Sequence, residues 1–85
     1  MKNIRKLRQI SNGYYNLGLS LANERNLSSA LNALSISFGL DKNNIDARNL
    51  YGLIQFEMGE EAKALISWVI SINIKPTGNQ AQNYL

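Results

Sequence analysis

The chain has 85 residues, a net charge of +3 and 45% hydrophobic residues, which is enough for one small domain with a limited core. It contains no cysteine and no histidine, so disulfides, thiol nucleophiles, zinc–thiolate sites and histidine-based acid–base catalysis are excluded. The sequence has no apolar run long enough for a membrane span or a signal peptide core. We therefore expect a soluble, cytoplasmic, all-α protein that is not an enzyme and uses no cofactor, metal or small-molecule substrate.

The positive charge is concentrated at the N-terminus. Residues 1–10 contain no acid and four basic residues, which are Lys2, Arg5, Lys6 and Arg8. Ile4, Leu7 and Ile10 recur every three residues, so this segment is predicted to be a basic helical extension that can lengthen the first helix backwards. Three interpretations stay open: a solvated extension, a packing surface for part of a larger protein, or a basic patch for an anionic membrane or, less readily, nucleic acid.

Helical spacing and capping residues predict five further elements. In chain order these are a helix from about Ser11 to Glu24, a second from Leu27 or Ser28 to Gly39, a third from an Asn43 cap to Met58, a fourth from Glu60 to about Asn73, and a fifth capped by Thr77 from near Gly78. Gly39 is expected to end the second helix in the left-handed conformation. In the first helix, Tyr14, Leu17, Gly18 and Leu21 are predicted to face inward.

The same pair of helices occurs twice in the chain. Gly18 recurs as Gly52 and Ala30 as Ala64, each 34 residues later, and a fixed period of this length is typical of repeat proteins. A glycine inside a helix costs about 1 kcal/mol relative to alanine, so its recurrence predicts a close approach of two helix backbones.

The period divides the chain into four segments. These are the extension 1–10, a first unit 11–44, a second unit 45–78 and a terminal segment 79–85. The terminal segment is either a short capping helix or the start of a third unit. The second interpretation, which we favour, makes the chain a fragment of a longer repeat protein.

The repeated residues resemble the signature of the tetratricopeptide repeat family. The first unit supplies Tyr14, Leu17, Gly18, Leu21, Ala30 and Leu34, and the second supplies Tyr51, Gly52, Gly59, Ala64, Trp68 and Pro76. The chain departs from the signature at four positions: Arg25 replaces the turn glycine, Lys42 replaces the proline, and Arg48 and Gln55 replace bulky core residues. Pentatricopeptide repeats are the nearest alternative, but they use a period of about 35 residues and read RNA in a basic groove.

The resemblance implies an α-solenoid of antiparallel helix hairpins that acts as a protein–protein interaction scaffold. In that family, the first helices of successive units line a concave groove that holds an extended or helical segment of a partner protein or peptide. The implied partner-binding residues are Asn12, Tyr15, Asn16, Leu19, Ala22, Asn23, Asp46, Asn49, Leu50, Leu53, Phe56 and Glu57.

Within this set, Leu19, Leu53 and Phe56 are not needed for the hairpin's own core. They are expected to form an apolar strip fringed by asparagines, which suits a partner segment with apolar anchors. The alternative is that these residues pack against a neighbouring unit or the N-terminal extension.

The fourth helix is predicted to have a second apolar surface. Ile66, Val69 and Ile70 lie opposite the Ala64/Trp68 side that is expected to face the core, and a helix that is apolar nearly all round is normally buried. This convex face is a candidate site of self-association or of docking onto another domain.

Overall fold

The computed structural model describes residues 3–85, and within them every regular element is a helix. The helices are α1 (Ile4–Asn23), α2 (Leu27–Leu40), α3 (Ile45–Glu57), α4 (Glu61–Ile74) and α5 (Ala81–Tyr84). Each helix packs against the next one along the chain, and α1 also contacts α3. The all-α prediction is confirmed for the described residues. No helix among them is both long and apolar enough to cross a bilayer.

The first helix is longer than the predicted Ser11–Glu24 segment. It begins at Ile4, so the basic segment forms its first turns, as the spacing of its aliphatic residues suggested. All residues from 3 to 10 are exposed. Lys2, which contributes to the predicted basic segment, lies outside the described residues.

The two helical pairs share the same backbone design. We call α1 with α2 hairpin 1 and α3 with α4 hairpin 2. In the turn of hairpin 1, the N–H groups of Glu24, Arg25 and Asn26 donate to the carbonyls of Ser20, Ala22 and Leu21. The same three bonds recur 34 residues later, from Met58, Gly59 and Glu60 to Ile54, Phe56 and Gln55. The period seen in the sequence is therefore also a period of the backbone.

The predicted close approach occurs in both hairpins at the repeated glycines. A Cβ atom at Gly18 would lie 2.6 Å from Cγ of Leu34, and one at Gly52 would lie 2.8 Å from Cδ1 of Trp68. Both distances are shorter than van der Waals contact, so any larger residue at these two crossings would require Leu34 or Trp68 to shift. Trp68 is buried in the core as predicted, and its indole N–H donates to the carbonyl of Asn49 at 3.3 Å.

The buried apolar residues form two clusters. The first joins both hairpins, because Ala30 and Leu34 of α2 pack with Ala47 and Ile54 of α3. The second consists of Ala64, Trp68 and Ala81, so the short α5 closes the outer end of hairpin 2.

Arg48 and Gln55, two polar residues at positions where the resemblance implies bulky core residues, are accommodated in the packing between helices. The Arg48 guanidinium lies over the Phe38 ring, 4.0 Å from its centroid, and Phe38 meets Tyr51 edge-on at 5.2 Å. The buried Gln55 accepts a hydrogen bond from the Ser67 hydroxyl at 2.6 Å. A polar pair thus replaces an apolar contact between α3 and α4.

The predictions for Leu17 and Gly39 were wrong. Leu17 is 48% exposed because the face of α1 that meets α2 is centred on Ser11 and Gly18, and Leu17 is turned about 100° from Gly18. Gly39 has no left-handed backbone. Instead, α2 continues to Leu40 and ends in the extended Asp41 (φ −142°).

Two capping predictions were also wrong. Asn44, not Asn43, caps α3, since its Oδ1 accepts from the N–H of Ala47 at 3.2 Å. The fifth helix begins at Ala81 instead of near Gly78, and its first N–H donates to Oδ1 of Asn79 at 2.9 Å, while Thr77 makes no cap. In both cases the capping asparagine also binds a buried serine of the preceding hairpin, which fixes its position.

Candidate functional site

The exposed faces of α1 and α3 form an apolar depression, which we call the main groove. Its volume is about 640 Å³. The residues that line it are Leu19, Ala22, Asn23, Arg25, Leu27, Leu50, Leu53, Ile54, Phe56 and Glu57. Seven of the predicted partner-binding residues are in this set, so the structure brings the larger part of that prediction together on one surface.

The floor of the main groove contains the three predicted apolar residues. Leu19, Leu53 and Phe56 are 38%, 36% and 51% exposed, although each belongs to a helix with a well-packed opposite side. The Phe56 ring lies 6.1 Å from the Trp68 ring. The exposed strip is therefore supported from behind by the core of hairpin 2.

A salt bridge closes one end of the main groove. Arg25 in the turn of hairpin 1 donates to the Glu57 carboxylate at the end of α3, with a distance of 2.7 Å. Both side chains are at least half exposed, so the pair adds at most about 1 kcal/mol to stability. Its main effect is geometric, since it links the ends of the two hairpins beside the apolar strip.

A smaller depression of about 240 Å³ continues from the main groove toward the other end of the molecule. Leu50 and Leu53 line both depressions, and Tyr15 and Asp46 line the smaller one. Burial raises the pKa of the Tyr15 phenol above its ordinary value, and the charge of Asp46 raises it further. The phenol is therefore a hydrogen-bond donor at neutral pH.

Asn12 and Asn16 line neither depression, and Asn49, which lines the smaller one, is nearly buried. Asn49 is only 6% exposed, because its Nδ2 donates to Oδ1 of Asn79 at 2.8 Å, so it holds α5 in place. Asn16 is exposed on α1 and lines neither depression. Asn12 lies with Asp46 in a separate polar depression of about 320 Å³.

Sequence reasoning missed five residues that line these depressions, one of which, Ile54, also belongs to the first core cluster. Arg25 was predicted only to replace the turn glycine, but it has a left-handed backbone (φ +64°) and its side chain lines the main groove. Leu27 lies where α2 begins, at the edge of the same groove. Gln80 and Tyr84 come from the short C-terminal turn. The period contained a signal for Arg25, because it occupies the position of Gly59, which has φ +85°.

The convex face of α4 is exposed as predicted. Ile66, Val69 and Ile70 are 59%, 47% and 36% exposed, and Leu65 is 47% exposed beside them. None of the four belongs to either core cluster. The molecule therefore has two separate apolar surfaces, one on the α1/α3 side and one on α4.

Among residues 3–85, no group of three or more acidic, histidine or cysteine side chains is placed to hold a metal ion. No family model matches the chain, and no curated protein matches it significantly.

Proposed function

We propose that the protein is a non-catalytic interaction module of the tetratricopeptide repeat type, in which an α-solenoid of two units, 11–44 and 45–78, binds a partner segment in the main groove. The observation that carries the proposal is the exposed apolar strip of Leu19, Leu53 and Phe56 on the face shared by α1 and α3. A cytoplasmic location and the absence of catalysis are parts of the same proposal.

The backbone period supports the repeat assignment. The hairpin turns have matching hydrogen bonds, and the glycine crossings at Gly18 and Gly52 are equivalent. In such a repeat the first helix of each unit faces the ligand, and here those helices are α1 and α3.

The chemistry of the main groove indicates the kind of partner. An apolar floor flanked by Asn23 and by the Arg25–Glu57 pair suits a helical segment with aliphatic or aromatic anchors on one side. The anchors would occupy the strip, while the amide of Asn23 and the phenol of Tyr15 would bind polar groups at its edges.

A peptide selection tests this proposal without knowledge of the natural partner. The full chain would be used to select from displayed random peptides long enough for about four helical turns, and affinities would be measured by the fluorescence of Trp68, which lies behind Phe56. We expect selected peptides to carry apolar residues at helical spacing and to lose at least about tenfold in affinity for Leu53→Glu with Phe56→Glu.

The matched control is Ile66→Glu with Ile70→Glu, which introduces the same two charges at exposed apolar positions on the other side of the molecule. It should bind the selected peptides as the wild type does. Equal loss in both variants, or no loss in the groove variant, would refute the groove as the binding site. Circular dichroism would first establish that both variants remain helical.

Self-association through α4 is a second candidate function, and a comparison inside the molecule favours it. Helix α2 has the same backbone position as α4, but its residues matched to Ile66 and Val69 are Asn32 and Ser35. The outer surface of α2 is therefore polar where that of α4 is apolar. Ile70 has an equally exposed counterpart in Ile36 of α2, at 36% and 37%, so the two helices differ at Ile66 and Val69. A wider exposed aliphatic surface on one of two equivalent helices favours a partner that covers it.

Sedimentation equilibrium tests the second candidate. We expect a concentration-dependent dimer that is weakened at least about tenfold by Ile66→Asn with Val69→Ser, which gives α4 the surface of α2. A strict monomer at high micromolar concentration would exclude self-association.

A further inference from the structure

The first two turns of α1 present an aliphatic stripe that no other part of the described chain covers. Ile4, Leu7 and Ile10 are 54%, 40% and 42% exposed. At about 100° per residue, the three lie within about 120° of one another on the helix surface. They are outside both core clusters, so hairpin folding does not account for them.

Basic side chains border this stripe on both sides. With the same helical geometry, Lys6 lies about 40° beyond Ile10 and Arg8 about 40° beyond Ile4. Arg5 lies on the opposite side, and all three are exposed. Long basic side chains at the edges of an apolar stripe can extend to lipid phosphates while the stripe enters the boundary between headgroups and acyl chains.

The charged residues in 3–85 are also unevenly distributed between the two ends of the molecule. Because the hairpins are antiparallel, the start of α1, the α2–α3 loop and the end of α4 lie at one end, and the two hairpin turns lie at the other. We call the first the basic end. Of the eight basic residues in 3–85, it has six: Arg5, Lys6, Arg8, Lys42, Arg48 and Lys75. The acidic residues show the opposite distribution. Two of them, Asp41 and Asp46, lie at the basic end, and four lie at the other end: Glu24, Glu57, Glu60 and Glu61. A negatively charged surface would therefore attract the molecule with its basic end first.

We propose that the first two turns of α1, with Ile4, Leu7 and Ile10 flanked by Lys6 and Arg8, dock the protein on an anionic phospholipid surface. The site is distinct from the main groove, since Ile4 and Leu7 line a notch of about 280 Å³ beside Leu40 and Lys42. The main groove would therefore remain free to bind its partner when the molecule is on a membrane.

A lipid surface fits this segment better than a nucleic acid or a protein groove. A nucleic acid would place phosphates against the cations, but it would leave the aliphatic stripe between Lys6 and Arg8 without an apolar partner. A lipid surface accommodates both features, because anionic headgroups meet the cations and acyl chains meet the stripe. Three partly exposed aliphatic residues and a few cations give reversible binding, so release from the surface would need no other device.

Vesicle sedimentation with the full chain tests the proposal. The probes are vesicles of phosphatidylcholine alone and vesicles containing about one third phosphatidylglycerol. We expect binding only to the anionic vesicles, weakened by high salt. Arg8→Gln should reduce it by roughly fivefold, and Ile4→Gln with Leu7→Gln should reduce it by at least about tenfold because the stripe is lost while the charge is kept.

Two matched controls accompany these variants. Lys63→Gln removes one exposed charge at the other end of the molecule, and Leu17→Gln with Ile36→Gln removes two exposed aliphatic side chains of hairpin 1 that line neither the notch nor the main groove. Neither should change vesicle binding. The tested positions lie outside the core clusters, so unchanged helicity is expected, and Arg8→Gln gives a second, independent variant.

Several results would overturn the proposal: no preference for anionic vesicles, wild-type binding by the Ile4/Leu7 variant, or equal loss in the Leu17/Ile36 control. Tighter binding to an oligonucleotide at the same salt concentration would assign the segment to nucleic acid instead. Self-association without lipid that is lost in the Ile4/Leu7 variant would assign it to a second copy of the chain.

Discussion

Hairpin 1 and hairpin 2 have the same turn and the same helix crossing but different side chains around them. The crossing is filled by Leu34 against Gly18 in hairpin 1 and by Trp68 against Gly52 in hairpin 2. The turn uses Arg25 in one and Gly59 in the other, both in the left-handed region. A glycine, a small alanine and a set of turn hydrogen bonds are therefore enough to repeat the backbone, while the residue that fills the crossing can vary in size.

The surfaces of the two hairpins differ more than their cores. The outer side of α2 carries Asn32 and Ser35, and the matched positions of α4 carry Ile66 and Val69. Since backbone positions are equivalent, the packing within each hairpin does not explain the difference. This difference is the basis for proposing that the outer surface of α4 associates with a partner.

The largest effect is expected from filling the glycine crossings. Gly52→Ala would press a methyl group against the Trp68 ring and disturb its hydrogen bond to Asn49. Overpacking costs about 1–3 kcal/mol, so we expect a net loss of about 2 kcal/mol in the free energy of unfolding, measured by urea denaturation. Gly18→Ala should cost less, because the Leu34 side chain can adjust more readily than an indole ring.

Gly13 and Gly39 provide the matched controls for that experiment. Both lie inside helices, and a Cβ at either would meet nothing within 4 Å. Replacing each with alanine should therefore stabilise the protein by up to about 1 kcal/mol. A destabilisation at these two positions similar to that at Gly52 would show that close approach is not the reason for the glycine crossings.

A smaller loss is expected from removing the asparagine that holds α5. Asn79 accepts from Asn49 Nδ2 and Ala81 N–H and donates to Ser71 Oγ and the Lys75 carbonyl. Asn79→Ala should cost about 1 kcal/mol, because buried groups lose their partners and α5 is short enough for water to replace some of them.

The fluorescence of Trp68 should distinguish the loss of Asn79, which holds α5, from the loss of Asn44, which binds the serines of hairpin 1. Tyr84 of α5 packs against Trp68 with ring centroids 5.1 Å apart, so release of α5 in Asn79→Ala should shift the emission to longer wavelength. Asn44→Ala is the counterpart in hairpin 1, where Asn44 binds Ser11 and Ser37. It should destabilise the protein by a similar amount without the shift. An identical emission spectrum in both variants would mean that Asn79 does not hold α5.

A third effect on stability is expected from substitutions in the two hairpin turns. Gly59→Ala places a side chain in a left-handed backbone and should cost about 1 kcal/mol, whereas Arg25→Gly relieves a similar strain. The gain in Arg25→Gly is reduced by loss of the exposed salt bridge to Glu57, so it should increase at high salt, where that pair contributes less. Thermal unfolding at low and high salt measures both variants. Stabilisation by Gly59→Ala would contradict the equivalence of the two turns.

Features that depend on local chemistry and on the period could be predicted from the sequence. The helices, the glycine crossings and the burial of Trp68 follow from spacing and from small residues that recur at fixed intervals. The apolar strip could also be predicted, because Leu53 and Phe56 had no place in the core of their own hairpin.

Features that depend on contacts between distant residues could not be predicted. Leu17 has the right spacing for the core, but it is exposed because the face of α1 that meets α2 is centred on Ser11 and Gly18. Asn49 was predicted to bind the partner, but it is nearly buried because it binds Asn79, 30 positions along the chain. Asn43 and Asn44 are equally good caps in sequence, and the choice between them is made by the buried hydroxyl groups of the preceding hairpin.

The smallest effect on stability, and the sharpest test of the two surfaces, comes from giving α2 the outer residues of α4. Asn32→Ile with Ser35→Val adds two aliphatic side chains at the surface of hairpin 1, where changes of this kind alter stability by no more than about 0.5 kcal/mol. If the α4 surface associates because of its aliphatic residues, the doubled variant should form larger species than the wild type in sedimentation velocity, since each chain would then have two such surfaces. Unchanged sedimentation, together with a dimeric wild type, would show that the α4 contact depends on a specific shape around Ile66 and Val69 and that exposed apolar area alone is not sufficient.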